Sequence, residues 1–146
     1  MKNVLLGALL LSAAVMASFQ PAPAVAAEPA ASNETEAQKA AEAWLAQVDG
    51  GSYGKSWEDA APLFKGAVTR EQWSQTVKAV RQPLGKVISR KLKSATYTRS
   101  VPGGPDGEYV IIQFDTVFAN KKQAVETITP MRDKDGKWKV SGYFIK

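Results

Sequence analysis

Apolar residues recur at helical spacing in the first half of the chain and at a spacing of two in the second. Ala37, Ala40, Ala41, Trp44, Leu45 and Val48 lie on one face of an amphipathic helix. Asn33 and Glu36 stand before it at capping-box spacing. Asp49-Gly50-Gly51 ends it, with Gly50 suited to the left-handed conformation of a helix stop. Tyr53, Trp57, Ala60, Ala61 and Phe64 share a second helical face, but Pro62 removes an amide donor within it. That predicts one or two short helical turns bent at the proline. Thr69 and Gln72 form a capping pair for a third helix, with a stripe of Trp73, Val77, Val80 and Leu84. Pro83 and Gly85 stop it.

The two-residue period begins at Val87. Residues 87–100 alternate imperfectly, and 101–107 form a turn-rich loop. In the next segment Val110, Ile112, Phe114, Thr116 and Phe118 point one way. Tyr109, Ile111, Gln113, Asp115 and Val117 point the other. After a short turn at Asn120-Lys121, Val125, Thr127, Thr129 and Met131 form one face, and Ala124, Glu126 and Ile128 the other. Asp135-Gly136 suits a hairpin turn. The last strand sets Trp138, Val140 and Phe144 on one side, and Tyr143 and Ile145 on the other. The fold class is therefore α+β, with three N-terminal helical segments packed on a four-stranded antiparallel meander.

The first residues stand outside this pattern. Lys2, an apolar run from Val4 to Met16 and small residues around Ala24–Ala27 read as a signal peptide over 1–27. Residues 28–34 read as a flexible leader, and 35–146 as a single domain. The run is short for a membrane span. The expected location after cleavage is periplasmic or secreted, with no transmembrane span. The chain has no cysteine, so neither an acylated lipoprotein anchor nor a disulfide is available. The net charge of +5 is uneven. Residues 28–85 carry 6 basic and 8 acidic groups, and 86–146 carry 12 basic and 6 acidic. Basic residues on strands with a buried opposite face are usually just solvated, and no partner is named by the sequence; the sharper reading is an anionic envelope component or another envelope protein. No run of five or more basic residues points to nucleic acid.

The side chains restrict the chemistry. Without histidine or cysteine there is no imidazole base, thiolate nucleophile or serine–histidine triad. No cofactor motif is present, and a zinc site is not expected. Asp133-Lys134-Asp135-Gly136 resembles the start of a calcium loop, but Phe144 stands where the closing glutamate is needed. Asp115 and Glu126 remain. A hairpin turned at Asn120-Lys121 sets them opposite one another, either as an acid–base pair or, more simply, as two solvated carboxylates neutralised by Lys91, Lys93 or Lys139. The expectation is the solvated pair. Tyr53, Tyr97 and Tyr143 are candidates for the rim of a pocket between helices and sheet. The four tryptophans are assigned to the core.

The strings "AWLAQVDGGSYGKSWEDAAPLFKGAVTREQW", "RQPLGKVISRKLKSATYT", "PGGPDGEYVIIQFDTVFANKKQAVETITPM" and "DGKWKVSGYFIK" resemble the bacterial domain of unknown function 4019 family. The resemblance spans about Ala37 to Lys146. It implies an export signal and carries no established activity. The order of helices before a curled meander is similar, at fold level, to the nuclear transport factor 2-like cone. That shape serves isomerases, dehydratases, ligand carriers and association modules. The function expected is a small exported binding or interaction module without catalysis. The alternative is a small-ligand isomerase or dehydratase using Asp115, Glu126, Tyr97 and Tyr143 in a cone-shaped pocket.

Overall fold

The computed structural model describes residues 28–146. The signal-peptide reading falls on 1–27, outside them. Four helices precede four strands: α1 (Glu28–Asp49), α2 (Tyr53–Glu58), α3 (Pro62–Ala67), α4 (Arg70–Leu84), β1 (Val87–Thr98), β2 (Tyr109–Phe118), β3 (Lys121–Arg132) and β4 (Trp138–Ile145). The sheet is an antiparallel meander in the order β1-β2-β3-β4. The α+β architecture is thus the one read from the period change. No helix among the described residues is long and apolar enough to cross a membrane.

The segment expected as a leader, 28–34, is instead the start of α1. Asn33 lies within that helix, and its Oδ1 accepts a bond from Arg132 Nη2. Tertiary contact to the sheet therefore replaces the cap. Gly51, one residue later than expected, takes the positive φ of the turn (79°). Pro62 opens α3 at its first turn, where a missing amide costs nothing. The capping box at Thr69 is formed in both directions.

α1 buries Ala37, Ala41, Trp44, Leu45 and Val48 against the inner face of the sheet, where Val110, Ile112, Phe114, Ile128, Trp138 and Val140 meet them. The buried stripe of α4 is Trp73, Val77 and Arg81, not Trp73, Val77, Val80 and Leu84. Val80 is 46% exposed. The i, i+4, i+8 row turns an arginine inward, which the apolar pattern could not register. Trp44 and Trp73 converge on Ser56. Trp44 Nε1 donates to its carbonyl (2.7 Å) and Trp73 Nε1 to its Oγ (2.9 Å). The Tyr143 ring packs edge-on to Trp44 at 5.5 Å between centroids.

The carboxyl end of α4 docks on the β2–β3 turn. Gly85 leaves the helix at φ 74°, and a Cβ there would lie 3.1 Å from Ala119 and Asn120. The Asn120 amide donates to Leu84 O (2.9 Å). This junction lays Arg81 over the Phe118 ring, 5.1 Å from its centroid.

Candidate functional site

The hairpin register decides where the carboxylates go. Phe118 pairs with Lys121 across a two-residue turn, and a bulge on β3 then adds one residue. Asp115 therefore lies opposite Val125, and Glu126 opposite Phe114. The expected Asp115–Glu126 pair does not form. A shift of one residue moves a side chain to the other face of a sheet, and these two carboxylates end on opposite faces. Asp115 is on the outer face with its side chain 61% exposed, 3.9 Å from Lys93 Nζ. Glu126 is on the inner face and fully buried. The expectation that Glu126 is solvated is thus corrected.

Glu126 is enclosed by donors that the sheet brings in diagonally. Thr116 pairs with Ala124, two residues from Glu126, and its Oγ1 donates to Oε1 (2.6 Å). Arg90 pairs with Thr116 from the next strand and reaches past it. Its Nε donates to Oε1 (2.7 Å) and its Nη2 to Oε2 (3.2 Å). Tyr143 pairs with Ile128 on the other side, and its hydroxyl donates to Oε2. Diagonal neighbours in a sheet stand about 7–8 Å apart, within reach of arginine and tyrosine.

The network continues through Arg90 to the helices. Arg90 Nη1 and Nη2 donate to Asp49 Oδ2 (2.8 Å) and Oδ1 (3.0 Å), and Arg81 Nη2 donates to Asp49 Oδ1 (2.7 Å). Asp49 closes α1, where the negative end of the helix dipole disfavours a carboxylate. Burial also works to raise its pKa. Hydrogen bonds from Arg90 and then Arg81 outweigh this and hold it below the ordinary 3.8. Burial, followed by the charge and hydrogen bond of Glu126, pushes the Tyr143 phenol well above its ordinary 10.0. Burial works against the charge of Arg90, but bonds to Asp49 and Glu126 raise its pKa. Two arginines and two carboxylates thus form one charge-balanced chain from α4 to β3. Arg81 Nε and Nη1 have no hydrogen-bond partner among the described residues, and the Phe118 ring lies beneath the guanidinium.

Of the residues singled out by sequence, Glu126 and Tyr143 meet here. Tyr53 lines a shallow cleft of about 200 Å³ beside Asp49 and Arg81. Tyr97 does not join them. It lies at the far end of the sheet and donates its hydroxyl to Glu108 Oε1 (3.0 Å). Asp49, Arg81, Arg90 and Thr116 escape a reading by strand alternation, because their role depends on which strands and helices become neighbours. The arginine in the helical row Trp73, Val77, Arg81 was the one available signal. Asp133 and Asp135 bind Lys139 Nζ (2.7 and 3.2 Å), an internal use of the hairpin carboxylates. No group of three or more metal-ligating acidic side chains occurs among the described residues.

The outer face has a different character. Lys91, Asp115 and Val125 are register partners on β1, β2 and β3, and Lys146, just past β4, exchanges backbone bonds with Val125 in the same row. With Ser89, Val117, Lys122 and Gln123 they line an open cleft of about 520 Å³. Lys91, Lys122 and Lys146 have no carboxylate within salt-bridge distance among the described residues.

The family described as Protein of unknown function (DUF4019) matches residues 40–143. The chain belongs to this family. The match runs from within α1 through β3 and into β4 as far as Tyr143, so every residue of the Glu126 network lies inside it. No curated protein and no solved structure matches the chain. Likeness to the cone-shaped folds therefore rests on element order alone.

Proposed function

We propose that this member of the family is a small exported binding module of the cell envelope that holds an anionic partner without transforming it. The observation that carries this reading is the outer cleft, lined by Lys91, Lys122 and Lys146 beside Val117 and Val125, with Asp115 as its one carboxylate side chain. Three lysines against one carboxylate, beside two valines, suit an anionic, partly apolar surface. The enzyme alternative needs Asp115 and Glu126 at one site, but Asp115 lies on the outer face of the sheet and Glu126 on the inner one. Glu126 has no exposed surface, and both its oxygens accept bonds from Arg90, Thr116 and Tyr143. A carboxylate so enclosed holds the sheet and helices together.

The test is co-sedimentation with phosphatidylglycerol vesicles, with phosphatidylcholine vesicles as the neutral comparison, and retention on immobilised heparin as a soluble polyanion. Binding to at least one anionic probe and not to phosphatidylcholine is expected. Each lysine near an anionic surface contributes about 1 kcal/mol. Lys91→Gln, Lys122→Gln and Lys146→Gln together should then weaken binding about 100-fold at low salt. Equal binding to neutral vesicles, no binding to either anionic probe, or an unaffected triple variant overturns the reading.

A further inference from the structure

The sheet has two edges, and they are treated differently. β1 is broken by register shifts at Val87/Ser89 and Leu92/Ser94 and carries Lys91 and Lys93. Its Tyr97 amide donates to Glu34 Oε1 of α1 (3.1 Å). Bulges, lysines and cover of this kind keep an edge from pairing with another chain. β4 is covered only in part. The Ala61 amide donates to Val140 O (2.8 Å) from the α2–α3 connection. Beyond that point pairing with β3 is regular from Thr129↔Gly142 to Glu126↔Ile145, and no charge occurs from Gly142 to Ile145.

The hydrogen-bond parity of this segment can be read directly. Val125 and Lys146 exchange both backbone bonds, at 2.9 and 3.0 Å. Bonded and non-bonded pairs alternate along an antiparallel ladder. Gly142 and Phe144 thus turn their amides and carbonyls to β3, whereas Tyr143 and Ile145 turn theirs away from the sheet. No described residue bonds to those outward groups. Beside them lies an apolar cleft of about 260 Å³ between α4 and β4, lined by Trp73, Val77, Val80, Tyr143, Phe144 and Ile145. Phe144, on the outer face, is 50% exposed.

We propose that this edge pairs with the same edge of a second copy of the chain, antiparallel about a twofold axis at Phe144, to make one continuous sheet. The parity selects that register. Tyr143 bonds to Ile145 of the partner subunit and Ile145 to Tyr143 of the partner subunit, so four hydrogen bonds satisfy the outward amides and carbonyls of Tyr143 and Ile145 on both strands. Phe144 then faces Phe144 of the partner subunit at a non-bonded position, where Cα atoms stand about 4.5 Å apart and side chains are closest. An aromatic pair there is stabilising. The charges also suit the arrangement, because Lys146 falls opposite Gly142 of the partner subunit and Lys139 lies beyond the overlap. No like charges face each other. Such an isologous contact closes on itself and leaves only the interrupted β1 edges at the ends of the sheet. A peptide of unrelated sequence could add to the same edge, but only a second copy brings an uncharged, aromatic-centred strand in this register by symmetry.

The test is light scattering on the purified protein over a concentration series, together with single-cysteine cross-linking. The native chain has no cysteine, so each introduced thiol reports alone. A monomer–dimer equilibrium is expected. Phe144→Lys sets two ammonium groups face to face and should weaken it at least about tenfold. Ile88→Lys, at an exposed apolar residue on the other edge, should leave it unchanged. Under mild oxidation Phe144→Cys should form a disulfide-linked dimer faster than Ile88→Cys, since the proposed Cα spacing fits a disulfide. A monomer at every concentration, a dimer abolished by Ile88→Lys and not by Phe144→Lys, or faster cross-linking at residue 88 overturns the proposal.

Discussion

Tyr143 and Glu126 share a hydrogen bond inside the protein, the phenol donating to a carboxylate that has no contact with water. The tyrosine comes from β4 and the glutamate from β3, two residues out of register. Two groups that a sequence reading nominates for chemistry are thereby joined as structure.

Replacing Glu126 should be costly. Removing one partner of a buried ion pair leaves the other uncompensated, at about 3–5 kcal/mol. Glu126→Gln keeps the shape and removes the charge that Arg90, Thr116 and Tyr143 surround. A loss in this range is expected in urea melts. Asp115→Asn, on the wet face, should change stability by no more than about 0.5 kcal/mol. Equal effects would place both carboxylates in the same environment and contradict the register.

Tyr143→Phe should cost about 1–3 kcal/mol. It takes one donor from Glu126 Oε2 and leaves only Arg90 Nη2 at 3.2 Å. The measurement is the denaturation midpoint, with unchanged circular dichroism showing that the fold persists.

The ionisable groups predict two limbs of stability against pH. Tyr143 has a raised folded-state pKa, so the unfolded chain loses its proton first, near 10.0. Its contribution is complete below that pH and falls as pH rises through and beyond it. Asp49 has a lowered folded-state pKa, so its contribution is present above 3.8 and is lost as pH falls below it. Thermal melts across the pH range should show both limbs. Tyr143→Phe should flatten the alkaline limb and Asp49→Asn the acid one. An alkaline limb unchanged in Tyr143→Phe would contradict the buried phenol.

The phase of α4 has its own test. Trp73 is buried against Trp44, Phe64 and Tyr143, and Trp73→Ala should cost about 3–5 kcal/mol. Val80→Ser, at an exposed position, should change stability by no more than about 0.5 kcal/mol in the monomer. Comparable losses would mean that the helix is rotated toward the Val80 stripe.

Export is tested by mass spectrometry of the protein recovered from the envelope or medium. The charged start, apolar run and small residues of 1–27 lead to an expected N-terminus near Ala27 or Glu28. A retained Met1 in that fraction would refute cleavage.

Period and punctuation were enough to determine the α+β class, the order of elements, the inward face of α1 and β2, the break at Pro62 and the capping box at Thr69. Each depends on residues close together in the chain. The final placement of Glu126, Phe144 and Val80 was not legible in the same way. A bulge on β3 corrects the hairpin register, and another irregularity at Thr129/Pro130 puts Phe144 on the face opposite Trp138 and Val140. Local alternation cannot reveal such a one-residue insertion, yet it changes which side chains meet. The Arg81–Asp49–Arg90–Glu126 chain depends on three further packing events: α1 ending near β1, α4 docking on the β2–β3 turn, and Arg90 crossing Thr116. The sequence supplied the charges, and the tertiary structure decided which of them would lose their water and therefore have to find one another.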